Sequence, residues 1–375
     1  MQKIECEVDF LRNAGEDPRR KPRIYGDNIV KSAKRYGLAA DKILDFSANV
    51  NPLGPSSLAK RAAKKSLAFI DHYPDSDMIG IRRAIARYFG IKYQQVTCGN
   101  GSNSLIHFLP RVFKPKKVLI PVPTYSEYAV AAEDAGSAIV SFHLRERDGY
   151  HVDPIELSFA LKGVDMAFLC NPNNPTGQII PKKEMMEIIS YALPQRVTLV
   201  VDEAFMDFVD SESIAKEAVQ SSRIICIRSF TQFFGMPGLR IGYAISDEAT
   251  IADLQNAQEP WTVNIPAQEA AIAALDDWGH IKKTHRLIEK ERNRLLSALR
   301  LLPGVEPFPG TANFIFLKFD MIDAHTLIEK LGCRGIMVHD CSCFQGLDSR
   351  YIRIAVRTRR ENNRLIRSLR ELIIR

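Results

Sequence analysis

From about residue 95 to residue 245, short apolar runs alternate with longer polar stretches of helical periodicity. The runs are Val118–Pro121, Ala138–Phe142, Met166–Leu169, Val197–Val201, Ile224–Ile227 and Ile241–Ile245. Because their apolar residues are continuous instead of alternating with polar ones, they predict strands covered on both faces, as in a mostly parallel α/β sheet flanked by helices. Several runs end in polar or Gly/Pro motifs, and such sheets bind ligands outside the carboxyl ends of their strands.

Beyond this region the pattern changes. A charged helical pattern extends from Pro266 to Leu302, with a break near Trp278 and Gly279. Shorter strand and helix patterns follow at Asn313–Leu317, Ala324–Leu331, Ile336–Val338 and Tyr351–Ala355, and an amphipathic helix ends the chain. A chain of 375 residues exceeds the usual size of one domain. We predict an N-terminal segment (1–54) that joins the small domain, a large domain (55–265) and a small C-terminal α/β domain (266–375).

Composition narrows the class of protein. No apolar stretch approaches the roughly 20 residues that a membrane span needs, and the N-terminus lacks the apolar core of a signal peptide. The seven cysteines are odd in number and scattered, as expected for reduced thiols. We therefore expect a soluble cytoplasmic protein. Cys341 and Cys343 lie near His339 without a second pair at ligand spacing, so no metal site is expected.

The formal net charge of +7 is modest for this length and is spread along the chain. Basic runs such as Lys114-Pro-Lys-Lys117 lack interleaved aromatic residues, so neither nucleic acid nor membrane is an expected partner. The excess of cations instead favours a small anionic ligand.

Two segments have the chemistry of a phosphate site. The turn Cys98-Gly-Asn-Gly-Ser-Asn103 opens a helical pattern, so the backbone amides of Gly101, Ser102 and Asn103 can face a phosphate, although a plain loop has the same composition. Ser229 and Thr231 add hydroxyl groups. Arg240 adds a guanidinium suited to bidentate phosphate contact, with a surface salt bridge as the alternative.

The segment Ser229-Phe-Thr-Gln-Phe-Phe-Gly-Met-Pro-Gly-Leu-Arg-Ile-Gly-Tyr243 resembles the cofactor-anchoring stretch of fold-type I pyridoxal-phosphate (PLP) enzymes, the aspartate aminotransferase superfamily. The resemblance implies that fold and that cofactor. It also implies that Gln232 stands where the family has the lysine that forms a Schiff base with PLP and shuttles protons. An amide is neither a nucleophile nor a useful base near neutral pH, so PLP is expected noncovalently or as an external aldimine.

The resemblance implies cofactor roles for four more residues. Asp202 at the end of an apolar strand would face the pyridine nitrogen, Asn174 in Asn171–Gly177 would bond the ring hydroxyl, and Tyr125 would stack on the ring. Each has a simpler alternative: a helix N-cap for Asp202, turn chemistry for Asn174 and a core position for Tyr125. Tyr73 matches a tyrosine that reaches the cofactor phosphate of the neighbouring subunit, which implies a homodimer, and a surface turn is its alternative.

The implied substrate residues come from both ends of the chain. Arg353 matches the arginine that clamps the substrate carboxylate, and an arginine inside an apolar strand is costly unless it is paired. Arg357 is a second candidate on the same segment. Tyr25, Asn28 and His339 lie in segments that the family uses around the substrate.

Several motifs resemble the threonine-phosphate decarboxylases of cobalamin biosynthesis within this superfamily. They include Asp45–Gly54, His72–Asp75, Asp202–Phe205, Pro260–Asn264, Asp340–Ser342 and Ile352–Arg359. Histidinol-phosphate aminotransferases usually have Asn-Glu-Asn-Pro in the first motif and tyrosine at the place of Phe205. The resemblance thus implies release of carbon dioxide from L-threonine O-3-phosphate, giving (R)-1-amino-2-propanol O-2-phosphate.

Gln232 leaves other functions open, namely an aminotransferase of the histidinol-phosphate type and a non-catalytic homologue with a binding role. The glutamine is either an inactivating substitution in an ordinary enzyme or the mark of a natural paralogue with slow or altered chemistry. Differences from the decarboxylase motifs at Tyr25 and His339 favour the paralogue. Decarboxylation should survive loss of the lysine better than transamination, because it needs one proton delivered and none removed from the α carbon.

Overall fold

A computed structural model of the chain describes residues 29–374, so Tyr25 and Asn28 lie outside the described residues. Its strands are β1 (Leu44–Asp45), β2 (Val96–Gly99), β3 (Lys117–Val122), β4 (Ala138–His143), β5 (Met166–Cys170), β6 (Thr198–Asp202), β7 (Ile224–Ser229), β8 (Gly242–Ile245), β9 (Val305–Phe308), β10 (Phe314–Phe319), β11 (Ile336–Met337), β12 (His339–Asp340) and β13 (Tyr351–Ala355). Its α-helices are α1 (Ile29–Tyr36), α2 (Ser57–Ser66), α3 (Ile79–Phe89), α4 (Ser102–Phe113), α5 (Glu127–Asp134), α6 (Pro154–Ala160), α7 (Lys182–Ala192), α8 (Ala215–Ala218), α9 (Glu248–Ala257), α10 (Ile265–Leu275), α11 (Trp278–Leu299), α12 (Ala324–Gly332) and α13 (Arg359–Ile373).

Seven strands form the central sheet in the order β2-β8-β7-β6-β5-β3-β4. All neighbours from β7 to β4 are parallel, whereas β8 runs antiparallel to both β7 and β2. The six apolar runs correspond to β3 to β8, so the predicted mostly parallel sheet is confirmed. β2 was not predicted as a strand, because it is only four residues long and ends in the glycine-rich turn.

Two hydrophobic layers cover the two faces of this sheet. Successive side chains of β5 belong to opposite layers: Ala167 and Leu169 lie in the first, and Met166 and Phe168 lie in the second. The first layer packs under α3, α7, α10 and α11, and the second packs under α4, α5 and α9. β5, β6 and β7 are buried along their whole length, as their continuous apolar runs predict.

A second sheet has the antiparallel order β12-β13-β10-β9, and β1 pairs in parallel with β11. Phe46, just after β1, accepts a backbone hydrogen bond from Ala355 in β13 at 2.8 Å. Residues 44–46 thus pack with the C-terminal strands. Helix α10 instead packs against α2 and α3, beside the central sheet. The boundaries at 54 and 265 stay predictions.

The smaller sheet is joined to the Asn/Pro-rich loop of the larger one. Gly177 has a φ of +73°, and its carbonyl accepts from the Thr311 amide at 3.1 Å. A Cβ on Gly310 would lie 2.9 Å from the oxygen of Gly177, so this backbone approach requires glycine. Within residues 29–374 no helix combines the length and apolar character needed to cross a bilayer.

Candidate functional site

The carboxyl ends of β5, β6 and β7 bring three of the predicted segments side by side. Cys170 pairs in register with Asp202, and Asp202 pairs with Ile227, two residues before Ser229. The Asn171 amide donates to the Asp202 carbonyl at 2.8 Å. The site therefore lies where parallel α/β sheets bind ligands, as the sequence predicts.

At one end of the site, Arg240 packs against the first turn of α4. Gly101 has a φ of +83°, and a Cβ there would lie 2.3 Å from Arg240 Nη2. The first turn of α4 holds no acidic residue, and its N-cap, Gly101, provides no side-chain cap. A helix N-terminus is itself electropositive, so a cation beside it is unfavourable without an anion. This arrangement fits a bound phosphate dianion.

Two hydroxyl-bearing residues lie at the end of β7 and just after it, close to this cationic end. Ser229 is 1% exposed, and its Oγ accepts from the Thr231 amide at 3.1 Å. Ser229 is thus fixed on a buried strand end, while Thr231 is half-buried on the loop that follows. Their phosphate-binding role stays a prediction.

Asp202 is a buried carboxylate at the end of β6. Its Oδ2 accepts from the Tyr128 hydroxyl at 2.7 Å, and its Oδ1 accepts from the Ala204 amide at 3.0 Å. Burial raises the pKa of Asp202 to about 6, and these two hydrogen bonds act against that rise. A protonated nitrogen placed beside it would stabilise the charged form. The carboxylate therefore fits the role of partner to a pyridinium nitrogen.

Tyr125 connects the strand ends to the start of α4. Its hydroxyl donates to Asn103 Oδ1 at 3.2 Å, and its ring meets the Tyr128 ring edge to face at 5.6 Å. Tyr125 is half-buried. Stacking on a cofactor ring stays a prediction.

Only one of the three asparagines in Asn171–Gly177 contacts Arg353. Asn171 bonds Ile180 through both amide atoms, and Asn173 is bound by Thr124, Pro123 and Thr176. Asn174 Oδ1 instead accepts from Arg353 Nη1. The first two asparagines hold the loop, which leaves Asn174 as the ligand candidate.

Arg353 is buried in β13, and its guanidinium reaches Asn174. Its Nη2 donates to the Ser47 carbonyl at 2.8 Å, and its guanidinium lies over the Phe314 ring at 5.5 Å. With its amide oxygen turned towards Arg353, Asn49 accepts from Nε at 3.1 Å. Burial lowers the pKa of Arg353. These contacts hold the planar fork in a fixed orientation, as recognition of a carboxylate requires.

His339 pairs with Arg353 across β12 and β13. Burial, with Arg353 adding to the effect, lowers the pKa of His339 well below its usual value. The imidazole is therefore neutral near pH 7 and can offer hydrogen bonds but no charge. Its place beside Arg353 matches the predicted substrate region, and contact with substrate stays a prediction.

Two other predicted residues have different surroundings. Arg357 donates to Glu361 at 2.7 and 2.9 Å and to the Asp45 carbonyl at 2.9 Å. These hydrogen bonds connect β1 to α13, which is a structural role. Tyr73 is 78% exposed and packs against Trp261 with ring centroids 4.6 Å apart and ring planes tilted by 30°. Roles in substrate binding and in the partner's site stay predictions for these two.

Gln232 lies half-buried on the loop after β7. Its backbone carbonyl accepts from the Asn51 backbone amide at 2.9 Å, and this bond connects the loop to the N-terminal segment. Its Oε1 is buried without a hydrogen-bond partner among residues 29–374. An unpaired buried acceptor costs about 1–3 kcal/mol. The side chain thus has bonding capacity that a bound donor would satisfy.

Sequence reasoning missed a buried ion cluster beneath the site. Arg228 precedes Ser229 and is fully buried; it donates to Glu203 at 2.8 Å, to Asp207 at 2.6 Å and to Asp210 at 2.8 Å. Glu203 follows Asp202, so the cluster fixes the adjacent ends of β6 and β7. The sequence holds a signal for this cluster, since an arginine inside an apolar strand must be paired, as Arg353 also illustrates.

Tyr128 was also missed as a functional candidate, although a buried tyrosine hydroxyl needs a partner.

In the described part of the chain, no group of three or more His, Cys, Asp or Glu side chains is arranged to hold a metal ion.

Comparison with known proteins identifies the family. Residues 41–369 match the aminotransferase class I and II family. The chain is 35% identical over 352 residues to threonine-phosphate decarboxylase of Salmonella typhimurium, covering 93% of this chain and 96% of that protein. It is 34% identical over 334 residues to histidinol-phosphate aminotransferase 2 of Archaeoglobus fulgidus, covering 88% and 93%. The histidinol-phosphate aminotransferase structure from Clostridium acetobutylicum matches with a TM-score of 0.84 at 30% identity, covering 88% of this chain and 99% of that one. The chain therefore belongs to the class I and II aminotransferase family and has its fold-type I architecture.

Proposed function

We propose that this protein is a PLP-dependent decarboxylase that converts L-threonine O-3-phosphate to (R)-1-amino-2-propanol O-2-phosphate, at a rate reduced by Gln232. Two features together carry the proposal: the guanidinium of Arg353 is buried, and residue 232 has an amide in place of an amine. The first recognises an amino-acid carboxylate. The second leaves decarboxylation as the reaction that suffers least.

The site fits pyridoxal 5'-phosphate, which when bound supplies an electron sink for the pair left at the substrate α carbon. The amides of Gly101, Ser102 and Asn103, with Ser229, Thr231 and Arg240, would hold its phosphate. Asp202 would pair with the ring nitrogen, Tyr125 would cover one face, and Asn174 would bond the ring hydroxyl. The cationic end of α4 and the buried carboxylate of Asp202 are the features that support this placement.

The chain's own residues favour loss of carbon dioxide over transfer of the amine. In decarboxylation the bond between the α carbon and the carboxylate breaks, and one proton must then reach the carbon. Transamination requires removal of a proton from the α carbon first, and Gln232 has no basic atom for that step. General acid-base catalysis contributes roughly 100- to 10,000-fold, so turnover is expected to be slow in either case.

An aminotransferase of the histidinol-phosphate type is the second candidate. It is supported by the nearly equal identities, 35% and 34%, to the two kinds of relative. Phe205 argues against it, because this buried ring packs on Phe314 at 5.1 Å and offers no hydroxyl to the cofactor. A non-catalytic binding role is the third, and it would be favoured if the protein binds no PLP.

A homodimer is part of the proposal. Five apolar side chains of one region are 48% to 78% exposed: Leu67, Phe69, Ile70, Tyr73 and Trp261. Covering them with a second copy would remove this apolar surface from water and bring Tyr73 to the partner. The expected substrate is a small anionic amino-acid phosphate, with His339 and Arg353 at its site.

The test is to restore the amine with Gln232→Lys and to measure carbon dioxide release from L-threonine O-3-phosphate. We expect at least a 100-fold gain and, after borohydride reduction, a stable PLP adduct that the unmodified chain lacks. Gln220→Lys, which adds a lysine at an exposed glutamine, is the matched control and should give neither. Amine transfer from glutamate without carbon dioxide release would select the aminotransferase instead.

A further inference from the structure

Tyr128 is a buried tyrosine whose hydroxyl reaches a residue of the proposed cofactor site. It is fully buried, and its hydroxyl donates to Asp202 Oδ2 at 2.7 Å. Its ring stacks on Phe168 at 5.0 Å with an interplanar angle of 10°. The ring is thus held by packing, and the hydroxyl has a fixed direction towards the carboxylate.

The position of Tyr128 follows from the local fold. It lies in the first turn of α5, three residues after Tyr125, so a single short segment supplies both the residue proposed to cover the cofactor and the one that contacts Asp202. On the other side, the Ala204 amide donates to Asp202 Oδ1 at 3.0 Å. Two donors therefore restrain the two oxygens of one carboxylate.

Few other titratable groups face this carboxylate. Cys170 at the end of β5 is near both Tyr128 and Asp202, and its thiol donates to the Pro172 carbonyl at 3.4 Å. Glu203 follows Asp202 on the chain, and its charge acts in the same direction as burial. Burial raises the pKa of Tyr128 well above its usual value, so its hydroxyl remains a donor throughout the pH range of interest.

We propose that Tyr128 is a positioning residue for Asp202, which fixes the orientation of the carboxylate and keeps it charged for the ring nitrogen of the cofactor. The proposal rests on the proposed function, because it requires PLP in this site. It adds a residue that touches neither cofactor nor substrate and acts only through Asp202.

The consequence for pH has a definite sign. Burial raises the pKa of Asp202 to about 6, and the Tyr128 hydrogen bond opposes that rise. Removing the hydroxyl therefore raises the pKa of Asp202 further, and less of the carboxylate is charged at neutral pH. The protonated ring nitrogen then loses part of its ionic partner, so PLP binding weakens and its dependence on pH moves to higher pH.

The experiment measures the dissociation constant of PLP by calorimetry from pH 5.5 to 8.5 in the whole protein. Tyr128→Phe keeps the stacked ring, and we expect binding about ten-fold weaker at pH 7, with the pH midpoint shifted upward. Tyr243→Phe is the matched control, because that buried hydroxyl has no hydrogen-bond partner in residues 29–374. It should leave the pH profile unchanged.

A double-mutant cycle separates positioning from general packing. In an Asp202→Asn background, Tyr128→Phe should change PLP affinity less than two-fold, because the charge it acts on is gone. An equal ten-fold loss in that background, or an unshifted profile in Tyr128→Phe alone, would overturn the inference. A wild-type protein that binds no PLP at any pH would instead refute the proposed function, and the inference with it.

Discussion

Asp202 shows how a single residue of the proposed site opposes folding. Its pKa is raised to about 6 in the folded chain, mainly by burial, whereas an unfolded aspartate titrates near 3.9. The folded state therefore holds the proton more tightly, so this residue costs stability as the pH rises from about 4 to 6, and the full cost remains above that range. A buried carboxylate that lowers stability in this way is expected at a functional position, which supports the proposed role of Asp202.

We predict that Asp202→Asn stabilises the cofactor-free protein increasingly as the pH rises. The difference in unfolding free energy between variant and wild type should grow by about 2 kcal/mol from pH 4.5 to pH 7.5. Urea unfolding at the two pH values measures it. Gln220→Asn, at an exposed side chain that does not titrate, provides the comparison and should not show this growth. A constant difference for Asp202→Asn would contradict the raised pKa.

At the scale of elements, the first turn of α4 and the strand ends form the proposed cofactor site together. Gly101 allows Arg240 to lie directly against the helix N-terminus. A Cβ on Gly242 would lie only 2.3 Å from Ser102 N, so glycine at this position lets β8 pass close to the start of α4. Side chains at these positions would separate the elements whose charges have to converge on a phosphate.

Gly101→Ala is predicted to weaken both the fold and phosphate binding. The new Cβ would meet Arg240 Nη2, and φ is +83°, so the unfolding free energy should fall by about 1 kcal/mol or more. The affinity for PLP should fall at least ten-fold, measured by calorimetry. Gly136→Ala has a comparable φ of +81° with nothing within 4 Å of the Cβ, so it should reproduce the backbone strain and leave PLP affinity unchanged.

Elements were predicted well where one periodic signal determined them. The predicted runs match β3 to β8, and the helical break near Trp278 separates α10 from α11. The antiparallel direction of β8 was not predicted, because a continuous apolar run looks the same in either direction. Strand direction depends on which neighbours the chain reaches, and that is set by the connections and by packing.

At the scale of the whole molecule, the exposed apolar region around Ile70 and Tyr73 is the feature that a monomer does not explain. Ile70 is 71% exposed and Tyr73 is 78% exposed. Monomeric proteins tolerate scattered apolar side chains, whereas several in one region indicate an interface.

Ile70→Asp is predicted to make the protein monomeric and to weaken PLP binding, because in the proposed dimer Tyr73 reaches the partner's site. Light scattering coupled to gel filtration measures the mass, and calorimetry measures the affinity. Leu301→Asp, at a residue 77% exposed at the end of the long helix, is the control and should remain dimeric. A wild type that is monomeric at micromolar concentration would contradict the homodimer.

The sequence alone determined the class of fold, the places where strands end in polar motifs, and the chemistry that Gln232 lacks. These follow from local periodicity and from the atoms of one side chain. The tertiary structure decided which groups meet: Tyr128 with Asp202 across 74 positions, and Arg353 with Asn174 across 179. It also separated Asn174 from the asparagines that hold the loop. Side-chain pairing and pKa depend on burial and on contacts between distant segments, and neither is encoded in the spacing of residues along the chain.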